Sequence, residues 1–321
     1  MTKARVVLFV GERSAYGAAH LRPLLEHFDV IGLVWADDAR WRRFQEQVHG
    51  PVRAGWRPRR KSSPKLDIPS SLPQWRVNDV HQADLLVELR RLRPEYCISA
   101  AYPQIFRRPV LELAPGGVIN FHPSVLPAFR GAHPHFWTIA KNATESGVTA
   151  HQMTEAIDEG DIYVQRSFPI SEWTYSELYQ RLLAETPLLV DDLARAIREN
   201  KPLVPQEAAK ASLYFGDRDL DHRLAWETAR VSELRALVRT HRAFTTWRGR
   251  RFGVQEAEDA GVRKGFLAGR PGVVLALEPG GPVVAAVDGS LRLKVVRWAG
   301  VSWSGARAAR WAGLRVGDGL V

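Results

Sequence analysis

The sequence predicts an α/β chain in which a mostly parallel sheet, wrapped by helices, is followed by a small β-rich, barrel-like domain. Three observations carry this. Short apolar runs alternate with amphipathic stretches through the first half. Periodicity lapses at 201–211, KPLVPQEAAKA, which holds two prolines and reads as a linker. Beyond it, brief strand-like runs are separated by glycine-rich turns.

Taken in order, VVLFV (6–10), DVIGLVWA (29–36), EYCISAA (95–101) and GVINFH (117–122) read as strands, with helices at 18–28, 81–93 and 132–142. Residues 40–79 break the pattern with arginine, proline and serine and read as a long excursion. GVTAHQM and DIYVQRSFPI are two further strands, separated by TEAIDEG. A long helix follows, with Thr174 as its cap and Glu177 three residues on. After the linker come one helix, VSELRALVRTHRA, and the run GVVLALEPGGPVVAAVDGSLRLKVV, whose turns suit a barrel. The expected domains are therefore 1–200 and 212–321, joined by 201–211.

A chain of 321 residues, 45% hydrophobic, buries a sizeable core. It carries no apolar run long enough to span a membrane, and the start MTKARVVLFVGERS lacks the form of a secretory signal, so the expected location is the cytoplasm. The single cysteine, Cys97, lies in an apolar run; an internal disulfide or thiolate cluster is excluded and a plain core role is expected. The net charge of +10 is uneven: from position 201 onward, twenty Lys/Arg face twelve Asp/Glu, and RAGWRPRRKSSPK (53–65) is a concentrated basic stretch. That balance suits an anionic partner, either polynucleotide or phosphorylated small molecule, and equally a solvated arginine-rich surface.

Side chains two apart on a strand share a face, so INFH presents Asn120 and His122 together at the carboxyl edge of a parallel strand, where ligands bind on such sheets. Pro123 helps end the strand there. A carboxamide that can hold an oxyanion beside an imidazole that can move a proton suits acyl transfer. The same pair also suits simple bonding of the adjacent turn. Asp158, in TEAIDEGDI, can orient the histidine or serve as an ordinary acidic turn residue. His133, His135 and His151 match no zinc spacing, and no metal site is expected. GxGxxG, GxxxxGK[ST] and GxSxG are missing, which removes the usual support for hydride transfer, P-loop chemistry and serine hydrolysis.

INFHPSVLP, then FRG, then GVTAHQMTEAIDEGDI resembles the central signature of the folate-dependent formyltransferases, the family of methionyl-tRNA formyltransferase and the glycinamide ribonucleotide and sugar-amine enzymes. ASLYFGDRDLDHRLAW and the strand run after it resemble the C-terminal domain of the tRNA enzyme and its sugar-nucleotide relatives. The resemblance implies a Rossmann-like formyltransferase domain followed by an OB-like barrel. It implies 10-formyltetrahydrofolate as donor and no metal. It implies a catalytic trio in which Asn120 holds the formyl oxygen, His122 polarises or transfers a proton, and Asp158 orients it and helps carry the amine proton away. The pterin would lie against Tyr102, Gln104, Ile105 and Ala156, with Ser124, Leu126 and Pro127 as the adjoining wall.

For the acceptor the sequence leaves two readings. Methionyl-tRNA formyltransferases usually read SLLPRWRGAAPI after the histidine, whereas this chain has SVLPAFRGAHPHF, which favours a small amine such as a nucleotide-linked amino sugar. Arg13 and Arg130 would then meet its phosphate or hydroxyls. The tRNA reading draws on total length, the appended barrel and the 53–65 stretch with Trp56 and Trp75. A noncatalytic nucleic-acid-binding protein is the reading from another class, and the intact trio argues against it.

Overall fold

The computed structural model describes residues 3–11, 14–36, 68–216, 220–262 and 270–321. They form two compact units whose chain segments interleave. One takes the residues up to Gly131, Gly147–Phe168 and Gln180–Leu213; the other takes Ala132–Ser146, Pro169–Tyr179 and Tyr214–Val321.

The first unit is built on a seven-stranded sheet. Its strands are β1 (Arg5–Gly11), β2 (Asp29–Ala36), β3 (Gln74–Val77), β4 (Tyr96–Ala100) and β5 (Val118–His122), then, past the two-residue β6 (Arg130–Gly131), β7 (Glu145–Gln152) and β8 (Ile162–Pro169). The spatial order is β3-β2-β1-β4-β5-β7-β8. Pairing is parallel from β3 through β5, and β7 runs antiparallel to β5. The central strands are buried on both faces, which is why they read as unbroken apolar runs. Val7, Phe9, Cys97 and Val118 pack on one side with Leu85, Leu86, Leu89, Phe106 and Val110, while Val6, Leu8 and Ile98 are buried between them along the strands. Cys97 is an inert core residue: burial pushes its thiol up to about 12.

The helices follow their sequence signals closely. In α1 (Ala15–His27), Ser14 is the cap, its hydroxyl accepting from Gly17 N at 3.1 Å. Next come α2 (Ala83–Arg91), α3 (Arg108–Leu111) and α4 (Pro134–Ala140). In α5 (Tyr175–Arg198) the capping box forms, with Glu177 Oε2 accepting from Thr174 N and Thr174 Oγ1 accepting from Glu177 N. β3 departs from expectation: QWRV, inside the anticipated excursion, is a strand at the sheet edge, held parallel to Leu33–Ala36. Residues 37–67, which include the 53–65 stretch and Trp56, lie outside the described residues.

The second unit holds β10 (Phe244–Trp247), β11 (Arg250–Asp259), β12 (Val274–Glu278), β13 (Gly281–Ala285), β14 (Ser290–Trp298) and β15 (Val301–Ser304), preceded by β9 (Leu213–Tyr214) and α6 (Val231–Arg239) and followed by α7 (Gly305–Ala312). The sheet is antiparallel in the order β10-β11-β14-β13-β12, with β15 on β14. Two hairpins turn on residue pairs with positive φ, Arg248-Gly249 and Ala299-Gly300, the conformation that matches strand twist in two-residue loops. The tail then bonds to both sheet edges: Val321 N donates to Thr246 O, and Val274 N donates to Asp318 O, each at 2.9 Å. The core beneath is apolar, from Trp226, Leu234 and Trp247 to Leu291 and Leu293. Among the described residues no helix is long and apolar enough to cross a membrane.

Candidate active site

β5 delivers Asn120 and His122, and the loop behind it is closed by its own polar groups. Ser124 Oγ donates to Ala128 O at 2.7 Å, and Thr149 Oγ1 of β7 donates to Ser124 O at 2.7 Å. Gln165 of β8 donates to Leu126 O and to Thr149 Oγ1. Phe129 turns through the left-handed region (φ 59°), and its carbonyl oxygen comes to lie 2.8 Å from His122 Nε2.

Asp158 reaches the same point from the turn between β7 and β8. Its carboxylate bridges two imidazoles: Oδ2 is 3.4 Å from His122 Nδ1, and Oδ1 is 3.4 Å from His151 Nε2. Gly131 N donates to Oδ2 at 2.8 Å. His151 is the register partner of Asn120 across the antiparallel β5–β7 pair, and its Nε2 lies 3.2 Å from Asn120 Nδ2. Its Nδ1, 2.9 Å from Gln152 O, carries a ring hydrogen; Nε2 then accepts from the carboxamide when the ring is neutral and donates to Asp158 Oδ1 when it is charged. That bond aims the Asn120 amide with its nitrogen toward β7.

The site is dry enough for these charges to matter: His122 and His151 are 4% and 1% exposed. Burial lowers the His122 pKa; the charge of Asp158 and the Phe129 carbonyl oppose this only in part. For Asp158, burial works to raise the carboxyl, yet the two imidazoles and the Gly131 amide outweigh it and hold it well below the usual carboxylate range. An ionised carboxylate therefore sits beside an imidazole that burial keeps largely neutral near pH 7. Such a constellation can accept one proton and stabilise it, next to an N–H donor for a developing oxyanion.

The other residues singled out by sequence fall in different places. Tyr102 is buried against Phe9 and Phe106, and its hydroxyl has no hydrogen-bond partner among the described residues. Gln104 spans to the 78–80 segment, accepting from Val80 N and donating to Asn78 O. Ile105 is 69% exposed and Ala156 is exposed, while Leu126 is buried and Pro127 half-buried. Trp75 donates its indole N–H to Glu88 at 2.5 Å. Arg130 is turned into the protein: Nε and Nη2 donate to Gln206 Oε1 and Nη1 pairs with Glu159 at 3.0 Å. Arg13 lies outside the described residues. Among the described residues, no group of three or more His, Cys, Asp or Glu side chains is arranged to hold a metal ion.

Comparison with known proteins meets this geometry. The formyl transferase family model matches residues 5–191. The chain belongs to that family. It is 38% identical over 233 residues to the methionyl-tRNA formyltransferase of Anaeromyxobacter sp. (strain K), spanning 70% of this chain and 73% of that one. It is 32% identical to the methionyl-tRNA formyltransferase of Magnetococcus marinus over 329 aligned residues, 100% of this chain and 99% of the relative. Among solved structures, the Helicobacter canadensis N-formyltransferase in complex with folinic acid and dTDP-3-aminofucose superposes with a TM-score of 0.59 at 16% identity, over 91% of this chain and 99% of that one. HypX from Aquifex aeolicus, solved with tetrahydrofolic acid, does so with a TM-score of 0.56 at 17% identity, over 96% of this chain and 47% of that one. Those two structural likenesses show a shared fold. As a member of the formyl transferase family, the protein is an enzyme of one-carbon transfer.

Sequence reasoning weighed His151 only as a metal ligand and did not single out the Gly131 amide or Gln206. The first was available in principle, since alternation along GVTAHQM puts His151 on one face with Thr149, but its meaning depends on the antiparallel register with β5.

Proposed function

We propose that the protein transfers the formyl group of 10-formyltetrahydrofolate to a primary amine, with Asn120, His122 and Asp158 as its catalytic residues. The observation that carries this reading is the Asp158 carboxylate bridging His122 and His151, with Asn120 tied to the second imidazole. Asn120 donates an N–H to the formyl oxygen as negative charge gathers on it. The proton released by the amine is taken up by the His122–Asp158 pair, where the carboxylate stabilises the imidazolium, and that proton would pass to the folate nitrogen as its bond to the formyl carbon breaks. The donor supplies the activated one-carbon unit. The chain fits such a group in two respects: Ile105 and Ile157 present exposed apolar side chains on loops bearing the cofactor and catalytic candidates, and the Tyr102 hydroxyl is buried without a partner among the described residues.

For the acceptor we favour the amine of an aminoacylated tRNA, reversing the preference drawn from the sequence. Its support is the similarity to methionyl-tRNA formyltransferases, which in one relative runs the whole length of both chains. With it goes the reading of the C-terminal unit as an OB-like barrel that grips a polyanion, and of a cytoplasmic site of action. A small amine, such as a nucleotide-linked amino sugar, is favoured by one specific observation: AFRGAHPHF in place of the usual RWRGAAPI. The deciding experiment incubates the protein with 10-formyltetrahydrofolate and either methionyl-tRNA or a panel of nucleotide-linked amino sugars, following formyl transfer. Transfer to tRNA alone supports the first reading, transfer to a sugar alone replaces it with the second, and transfer to neither removes both.

A further inference from the structure

The segment 204–212, most of which falls in the 201–211 stretch that reads in sequence as an aperiodic linker, lies across the Asp158 turn and the loop that follows β5. Val204 and Ile162 exchange backbone hydrogen bonds of 2.8 and 2.9 Å just beyond the Asp158 turn. At the other end, Ser212 Oγ accepts from Phe129 N at 2.8 Å and Ser212 O accepts from Arg130 N at 2.8 Å. Between these anchors stands Gln206. Its Nε2 donates to two carbonyls of the turn, Asp158 O at 2.8 Å and Gly160 O at 2.7 Å, and its Oε1 receives Nε and Nη2 of Arg130. Both N–H groups and the carbonyl of one carboxamide are thereby used, and Arg130 closes the ring through Glu159 at 3.0 Å.

Asp158 needs such support. It is a non-glycine residue in the left-handed region (φ 53°), a conformation that costs energy and persists only when the surroundings impose it. The turn around it is largely exposed, with Ala156, Ile157 and Glu159 open to solvent. Gly160 fixes one side by pressing against β7, where an added Cβ would stand 1.9 Å from Gln152 O. Gln206 grips the other side by the main chain.

We propose that Gln206 is a positioning residue for the transfer reaction: together with Arg130 it clamps the backbone of the Asp158 turn and so sets the carboxylate against His122. The inference rests on the trio reading above, and it gives the buried Arg130 fork a role inside the protein.

Two variants test it in the full-length protein. Gln206→Met keeps the side-chain length and removes every bond; Gln206→Glu keeps an acceptor for Arg130 and removes both donors to the turn. The clamp predicts that each folds, lowers kcat about tenfold or more, and leaves KM for donor and acceptor within about twofold, because ground-state binding is untouched. It also predicts that His122, followed by histidine 13C NMR, titrates at lower pH than in wild type, moving toward its position in Asp158→Asn, since the carboxylate that favours its charged form has slipped away.

Wild-type kcat in both variants, with His122 titrating unchanged, would overturn the proposal. So would a loss confined to KM, or loss of the native fold in both, which would make Gln206 a general scaffold residue. The two readings fail separately. If the wild-type protein transfers formyl to no acceptor, the functional reading falls, and the His122 titration alone still decides whether Gln206 places Asp158.

Discussion

His122 Nε2 lies 2.8 Å from the carbonyl oxygen of Phe129. A carbonyl only accepts, so that nitrogen carries the hydrogen, and in the neutral ring the Nδ1 lone pair faces Asp158 Oδ2 at 3.4 Å. One added proton turns this mismatch into an ion pair. The arrangement is thus a proton receptor whose affinity is set by two opposed quantities, burial and the carboxylate. Replacing Asp158 by Asn removes the quantity that favours the charged ring. His122 should then titrate at still lower pH, and formyl transfer should fall by about two orders of magnitude. A titration of His122 that stays in place or moves upward in Asp158→Asn would contradict the pairing.

In the proposed reaction Asn120 has a different task and a different signature. Its carboxamide is aimed by His151, so truncation to Ala removes a donor without disturbing the proton receptor. The expected loss is roughly 3 kcal/mol of transition-state stabilisation, about a hundredfold in kcat, with the His122 titration close to that of wild type. A rate assay on Asn120→Ala showing less than about a threefold change would remove Asn120 from the mechanism.

The two residues on β5 were legible because strand alternation is a local property: Asn120 and His122 share a face whatever the rest of the fold does. Asp158 was legible through its motif. His151 and Gln206 were not, because their roles are relations across the fold. His151 matters through a register 31 positions away in the chain, and Gln206 through carbonyl oxygens, which every residue possesses and no sequence pattern marks. Arg130 is a similar case, since its bonds to Gln206 and Glu159 join segments 76 and 29 positions away that no local pattern marks. The parallel strands were readable as apolar runs because both faces are covered. β3 was hidden: QWRV is four residues long, polar at alternate positions and at the sheet edge.

Gly160 offers a test of how tightly the Asp158 turn is held. A methyl group there would meet Gln152 O at 1.9 Å, a backbone atom that cannot swing aside. Gly160→Ala should lower stability by about 2 kcal/mol and reduce activity more than the lost folded fraction explains, because the turn itself must shift. Gly249→Ala is the control: none of the described residues lies within 4 Å of the added Cβ, and its cost is that of φ +70°. Thermal melting and initial rates on the two proteins separate these cases. Equal effects of the two substitutions on rate would show that the turn has slack.

His20 is a second buried imidazole, outside the site, and it makes stability depend on pH. It lies on α1 against Phe121 and Tyr16, with Nδ1 bonded to Tyr16 O at 2.7 Å and Nε2 buried without a partner among the described residues. Burial lowers its pKa to about 4 from the ordinary 6.5, the Tyr16 carbonyl opposing only weakly. The unfolded chain therefore binds a proton at His20 between those two values while the folded chain does not. It follows that folding stability is fully present above about pH 6.5 and declines as pH falls toward 4, by about 3 kcal/mol from this residue. His122, lowered in the same sense, adds to the decline. Denaturant unfolding at pH 7.5, 6 and 5 should show this slope, and His20→Leu, which cannot titrate, should flatten part of it while leaving the His122 contribution. An unchanged slope in His20→Leu would mean that the ring is hydrated or charged in the folded protein, contrary to its burial between α1 and β5.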